Sequence, residues 1–326
     1  MTFSTRTPPA IAPPGRILIT GASGFVGRAL CAEALRRALP VRVALRKTSG
    51  YAPPAGCECA RVDDLSARTD WSEALRGVST VIHLAARVHV MREEAADPLA
   101  EFRAVNVAGS ARLARQAAEC DVKRLVFVSS VKVNGEATLG AARFSESDPP
   151  LPRDAYGRSK WEAERALWRI AWESGLEMTI VRPPLVYGPG VKGNFAALLA
   201  ALRRGWPLPL ASIANARSLV YAGNLADALL LCAAHPSAAG STYLVCDGED
   251  LSTPDLLRRL GRAMGKPPRL LPFPPGALRA VCAAVGQEAR IDRLLASLRV
   301  DAARIRRELG WSPPYSVDEG FRATVE

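Results

Sequence analysis

The sequence predicts an α/β protein, a doubly wound parallel sheet followed by a smaller lobe. Three observations predict it. From residue 16, short β-branched runs alternate with longer stretches rich in Ala, Leu and Arg, the texture of strands and helices in a parallel sheet covered on both faces. Glycines at 21, 24 and 27 stand between an apolar strand-like run and an apolar helix-like one. After residue 185 the texture changes to Pro- and Gly-rich loops such as YGPGVKGN, GWPLPL and KPPRLLPFPPG, which suit a lobe lying over a cleft.

Taken in order, RILIT (16–20) reads as a buried strand, with a helix over about 24–39. VRVALR (41–46) is a second strand, CECARVD (57–63) a third, and WSEALRG (71–77) a short helix. STVIHLAA (79–86) is a fourth strand, followed by a helix over 98–120. RLVFVSS (124–130) is a fifth, followed by a helix over 155–174, and LEMTIVRPP (176–184) is a sixth. Crossovers of one hand place ligands beyond the carboxyl ends of such strands. Ser129, Ser130 and the loop before Tyr156 fall on that edge. Residues 16–185 form the larger unit and 186–326 mainly the smaller lobe. The stretch 217–235 is expected to return a strand and a helix to the larger unit.

Composition narrows the classes. Residues 1–15 hold four prolines and no apolar core, so they read as a disordered leader and not a secretion signal. No apolar run approaches the ~18 residues of a membrane span. Seven cysteines, including Cys57 and Cys59, form no C-x-x-C, which points to reduced thiols and a cytoplasmic protein. Histidines 83, 89 and 235 lack metal-ligand spacing, so no metal is expected. The net charge of +11 comes from six lysines and 37 arginines against 32 acids. It suits an anionic ligand such as a nucleotide. The arginines alternate with Ala and Leu without a basic run of five, as on solvated helix faces, and no nucleic-acid partner is predicted.

In ILITGASGFVG, Gly21, Gly24 and Gly27 follow a strand and open a helix. Glycine is needed there for a sharp turn, close approach to a diphosphate and helix–strand packing, and the helix N-terminus offers free N–H groups to phosphate. This predicts a dinucleotide site at Gly21, Ser23, Gly24, Phe25, Val26 and Gly27. An acid about 20 residues beyond Gly27 would hold the ribose 2′-hydroxyl of NAD. Arg46 and Lys47 stand there instead. Cations favour a 2′-phosphate, so NADP(H) is preferred over NAD(H), unless both residues merely solvate a loop.

In DAYGRSKWEAE, Tyr156 and Lys160 share one helix face, which a surface helix explains as well as a catalytic site. The surrounding motifs decide. TGASGFVG, HLAA (83–86), VSSVKVNGE (128–136), YGRSK, RPPLVYGPG (182–190), RSLV (217–220) and LGWSPPYSVDEG (309–320) together resemble the extended short-chain dehydrogenase/reductase family. The resemblance spans nearly the whole chain and implies a Rossmann-type fold. It is nearest to bacterial reductases and epimerases of UDP-linked N-acetylhexosamines in surface polysaccharide (O-antigen) synthesis.

What the resemblance implies is specific. Tyr156 exchanges a proton with the sugar's C4 oxygen. Lys160, with the oxidised nicotinamide, pulls the phenol down from about 10 toward operating pH. Ser130 hydrogen-bonds the same oxygen. Asp64, followed by Leu65, lies by the adenine; Leu84, Ala85, Ala86 and Pro183 line the cofactor; Asn106 steadies the site by hydrogen bonds. Asn194 and Arg217 meet the uridine diphosphate. A homodimer pairs through the helices at 98–119 and 155–174. Dehydratases of the family carry Asp-Glu after the Ser/Thr, where this chain has Val131 and Lys132, so dehydration lacks its general acid. Lys132 either touches the substrate or faces solvent.

Two enzymatic readings follow, with a UDP-sugar as the partner molecule. In the first, NADPH reduces C4 of a UDP-4-keto-6-deoxy-N-acetylhexosamine; Arg46 and Lys47 favour it. In the second, the same residues serve a UDP-hexose 4-epimerase that keeps NAD. A third reading is a non-catalytic cofactor sensor or scaffold. Retention of Tyr156, Lys160 and Ser130 speaks against it.

Overall fold

The computed structural model describes residues 15–88, 97–284 and 286–326. The leader expected at 1–15, all but its last residue, and His89 lie outside them. Ten strands are described: β1 Ile17–Thr20, β2 Val41–Arg46, β3 Glu58–Val62, β4 Thr80–His83, β5 Arg124–Val128, β6 Glu177–Arg182, β7 Leu185–Tyr187, β8 Arg217–Tyr221, β9 Ser241–Leu244 and β10 Asp250–Leu251. Seven make one sheet in the order β3-β2-β1-β4-β5-β6-β9, parallel throughout. β1 and β4 lie side by side although β2 and β3 intervene in the chain, so the strand order reverses between them. That reversal leaves a crevice at the carboxyl ends of β1 and β4.

The central strands are buried on both faces and read as near-continuous apolar runs. One core lies under the helices Phe25–Arg36 and Ala222–Ala234, built on Ile17, Ile19, Leu30 and Leu229. The second lies on the other face, under Ser110–Glu119 and Ala155–Ser174, and includes Leu18, Leu113, Phe127 and Leu167. A third, smaller core of Tyr187, Phe195, Leu257 and Phe321 belongs to the lobe.

Four expectations change. The sixth strand stops at Arg182, because Pro183 and Pro184 cannot donate to a ladder; the chain resumes as β7 in a second sheet, β10-β8-β7. Of the stretch 217–235, the helix Ala222–Ala234 packs on the large sheet and Asp227 pairs with Arg37. β8, however, pairs with β7 and β10 in the small sheet. The large sheet gains β9 instead, a strand the sequence pattern did not single out. The helix expected over 98–120 is interrupted: Pro98–Phe102 and Ser110–Glu119 flank a π-helical turn, Arg103–Gly109. A π-turn inserts one residue without disturbing apolar spacing enough to be read, and such turns gather at functional sites.

The two sheets are tied through Asp247. Its carboxylate accepts from Tyr187 Oη at 2.8 Å, from the Tyr221 amide at 2.9 Å and from Asn224 Nδ2 at 2.7 Å. Asn224 Nδ2 also donates to the Tyr315 carbonyl at 2.8 Å.

Candidate active site

β1 ends at Thr20, and Gly21 turns the chain in the left-handed region at φ 71°. A Cβ on Gly21 would stand 2.7 Å from the Ala85 amide nitrogen, and one on Gly27 would stand 2.2 Å from the Gly21 carbonyl oxygen. Both glycines are required sterically. Gly24 caps the helix Phe25–Arg36 with extended backbone and no side-chain cap, and no acid occupies the first turn. Its leading N–H groups therefore face the turn with no competing carboxylate.

A cavity of about 850 Å³ opens over this turn. Among the expected cofactor residues it is lined by Gly21, Ser23, Gly24, Phe25, Val26 and Gly27, by Arg46, Asp64 and Leu65 on one side, and by Leu84, Ala85, Ala86 and Pro183 on the other. Ser130, Tyr156 and Lys160 line it too.

The helix Ala155–Ser174 positions Tyr156 and Lys160. Asp154 caps it by accepting from the Gly157 amide at 2.7 Å, and Gly175 closes it at φ 76°, the residue types that ends of helices favour. Gly157 costs helix stability, about 0.5–1 kcal/mol against Ala, but a Cβ there would lie 2.9 Å from the Lys132 carbonyl. The absent side chain lets the helix start close against the loop that carries Ser130.

Ser130 hydrogen-bonds the Tyr156 phenol and holds its pKa down, while burial, then Asp154, push it up; the net displacement is well above the ordinary 10. Among the groups of the chain itself, burial outweighs the hydrogen bond from Ser130. Lys160 is almost wholly buried, with Nζ donating to the Val128 carbonyl at 2.8 Å. Burial lowers its pKa to about 7. His83, fully buried between Thr20 Oγ1 at 2.7 Å and Ser110 Oγ at 2.8 Å, is lowered to about 3 by burial and by Lys160. It stays neutral and adds no charge beside the lysine.

Other expected residues stand elsewhere. Asn106 does not line the cavity. From the π-turn its Oδ1 accepts from the Arg87 amide at 2.8 Å, and its Nδ2 donates to the Arg87 carbonyl and to Ser159 Oγ, both at 3.0 Å. Ser159 Oγ in turn donates to the Tyr156 carbonyl at 2.8 Å. Asn106 is therefore a clamp between the loop after β4 and the Tyr156 helix. Lys132 is neither a cavity residue nor free in solvent: its ammonium pairs with Asp154. Lys47 stays outside, paired with Asp63 at 3.0 Å, and Arg46 at the rim lies 3.3 Å from Asp64. Asn194 is exposed at the start of the helix Gly193–Arg204. Arg217 Nη1 is spent on the carbonyls of Arg293 at 2.5 Å and Ala296 at 3.2 Å.

Two further residues line the cavity: Thr20, which carried no sequence signal, and Ser129, which the sequence placed on this edge. Thr20 Oγ1 accepts from the Ala85 amide at 3.2 Å and so fixes the turn to the loop after β4. Ser129 lines the cavity with a buried hydroxyl that has no partner among the described residues. The site fits a dinucleotide: a glycine turn that any Cβ would fill, an uncapped helix start without an acid, and an orphaned hydroxyl within the cavity. No cluster of three potential metal ligands occurs among the described residues.

The model of the NAD dependent epimerase/dehydratase family matches residues 17–246. The chain is similar to a UDP-glucose 4-epimerase of Vibrio cholerae, 42% identical over 96% of this chain and 95% of that one. It is 27% identical to an N-acetyl-α-D-glucosaminyl-diphospho-ditrans,octacis-undecaprenol 4-epimerase of Escherichia coli O157:H7, covering 95% and 94%. Among solved structures, the Thermus thermophilus UDP-glucose 4-epimerase complex with NAD aligns at a TM-score of 0.74 and 27% identity, over 95% of this chain and 97% of that one. With the glycine turn, the parallel sheet and the Tyr156–Lys160 helix in their places, the chain belongs to the NAD dependent epimerase/dehydratase family.

Proposed function

We propose that the protein is a nucleotide-sugar 4-epimerase, acting on a UDP-hexose with a retained nicotinamide dinucleotide. One observation carries the reading: Ser130, Tyr156 and Lys160 meet over the glycine turn in a chain 42% identical, along nearly its whole length, to a UDP-glucose 4-epimerase. The expectation from sequence ranked 4-keto reduction first; the similarity to epimerases reverses that order.

The residues divide the work as follows. The turn Gly21–Gly27 and the start of the helix Phe25–Arg36 hold the diphosphate, and Ala85 and Ala86 flank it. When bound there, the dinucleotide supplies reversible hydride acceptance at sugar C4. Tyr156 Oη takes the C4 hydroxyl proton as the C4–H bond breaks, leaving a 4-keto sugar. After the sugar turns its other face, the same phenol returns the proton while C4–H re-forms. No net oxidation results. Ser130 steadies the phenol and favours its ionised form. Lys160 adds positive charge beside it when protonated. Dehydration is not supported: Val131 is buried, and the charge of Lys132 is neutralised by Asp154.

One observation favours a 4-keto reductase using NADPH as a second reading. β2 ends on the cation Arg46 and not on a carboxylate. The pairing of Arg46 and Lys47 with Asp64 and Asp63 does not oppose it, because exposed ion pairs contribute less than about 1 kcal/mol and a phosphate could displace them.

The test is to incubate purified protein with UDP-glucose or UDP-N-acetylglucosamine labelled with deuterium at C4 and no added cofactor. An epimerase gives the C4 epimer with deuterium retained and no net change in reduced nicotinamide absorbance. Conversion only of a 4-keto sugar, with one NADPH consumed per product, would establish the reductase instead.

A further inference from the structure

The lobe carries a surface that the cavity chemistry does not use. Residues 188–216 contain Lys192, Arg203 and Arg204 and no acid, and residues 256–287 contain six cations and no acid. The fold joins these stretches. The Leu208 amide donates to the Arg269 carbonyl and its carbonyl accepts from the Leu271 amide, both at 2.8 Å; the Ala211 amide donates to the Leu271 carbonyl at 3.1 Å. Inward, Leu208, Leu270, Phe273, Leu278 and Cys282 pack on the third core. Outward, Trp206, Leu271 and Val281 are 56%, 50% and 57% exposed. The helix Pro275–Ala284 is exposed except around Leu278 and Cys282, and Arg279 is its one charge.

The cations around this patch divide into two sets. Arg258, Arg259 and Arg279 are paired with Asp255, Glu249 and Asp292. Lys192, Arg203, Arg204, Arg262, Lys266 and Arg269 have no carboxylate partner among the described residues. Arg204 lies over the Trp206 ring at 5.0 Å, and Lys266 Nζ holds the Arg203 carbonyl at 2.6 Å. Part of the unpaired charge, Arg203, Arg204 and Lys266, therefore lies beside the exposed tryptophan.

We propose that this face docks peripherally on an anionic lipid bilayer, with Trp206, Leu271 and Val281 at headgroup depth and Arg203, Arg204, Lys266 and Arg269 over the lipid phosphates. Charge complementarity selects the occupant. Two acid-free stretches with surplus cations suit a continuous negative surface, where each Lys or Arg strengthens attachment about fivefold. Tryptophan is favoured at the headgroup level, and an apolar patch beside basic residues is the pattern of interfacial binding. Nucleic acid would engage the cations but give Leu271 and Val281 no apolar phase to enter. No helix among the described residues is long and apolar enough to cross a membrane, so the attachment is superficial and salt-sensitive. The proposal is independent of the reaction assigned to the cavity, because vesicle binding is read without turnover.

The test sediments the full chain with phosphatidylcholine vesicles, with or without phosphatidylglycerol, at physiological and high salt. Wild type is expected to sediment only with the anionic vesicles, and to be released by salt. The variant Arg203→Glu/Arg204→Glu/Lys266→Glu/Arg269→Glu is expected to bind about a hundredfold more weakly or worse. Trp206→Ser/Leu271→Ser/Val281→Ser should lose about tenfold or more with its charge intact. The milder Arg204→Gln/Arg269→Gln, expected to lose about 25-fold, serves if the charge-reversed chain fails to melt like wild type. Failure of wild type to bind anionic vesicles, binding unchanged by these substitutions, or preference for duplex DNA would overturn the proposal. So would a self-association lost in the variants by sedimentation velocity.

Discussion

Lys160 Nζ stands 2.8 Å from the carbonyl oxygen of Val128 and 4.4 Å from the centre of the Phe127 ring. The lysine is thus anchored on the end of β5, and the helix face shared with Tyr156 is fixed against the sheet. A cation so deeply buried keeps its proton poorly, and its pKa falls from 10.5 to about 7.

That displacement makes stability depend on pH. Between about 7 and 10.5 the unfolded chain holds a proton on Lys160 that the folded chain has released, so stability rises with pH across that window and is flat for this group below it. Urea midpoints from pH 7 to 9.5 should rise for wild type, with a slope approaching about 1.4 kcal/mol per pH unit. Lys160→Met should lose this contribution. Equal slopes in both proteins would show that Lys160 is not desolvated.

Ser130→Ala removes the hydrogen bond that lowers the Tyr156 phenol. Hydrogen bonds to charged groups contribute about 1.5–3 kcal/mol, so kcat should fall by about 10- to 100-fold. The limb of the pH–rate profile that reports phenol ionisation should move to higher pH. A fall in rate with an unmoved profile would assign Ser130 to the substrate alone.

Gly27→Ala places a methyl group 2.2 Å from the Gly21 carbonyl oxygen, which is backbone and cannot swing away. Overpacking of this kind costs about 1–3 kcal/mol, and it strikes the turn proposed to hold the diphosphate. Calorimetric titration with NAD should show affinity reduced about tenfold or more. Unchanged affinity would place the diphosphate elsewhere.

On the helix Ala155–Ser174, Trp172 is 91% exposed. It shares a stripe with Trp161, Arg165 and Trp168, at the spacing of one helix face. Pairing of two copies through this helix would bury it. Trp172→Glu should then lower the mass measured by light scattering from that of a dimer to that of a monomer. A wild-type monomer would contradict the pairing.

The large sheet and the glycine turn were legible in the sequence because strand period, helix period and turn chemistry agree there. Tyr156, Lys160 and Ser130 could be placed together because each follows a strand end or a helix start. What was hidden depended on long-range partners. Lys132 looked open until Asp154 met it, and Arg217 looked like a phosphate ligand until the carbonyls at 293 and 296 took its guanidinium. Asn106 acts from a π-turn that residue spacing does not announce. β8 has the composition of a core strand, but the two prolines after Arg182 send β7, its neighbour, to another sheet.

The central claim is that Tyr156 Oη moves the C4 proton above the glycine turn, and Tyr156→Phe tests it most directly. The account predicts that epimerisation falls by about 10²–10⁴, while the affinity for NAD, by calorimetry, stays within about twofold. Turnover at the wild-type rate in the folded Phe variant would contradict it.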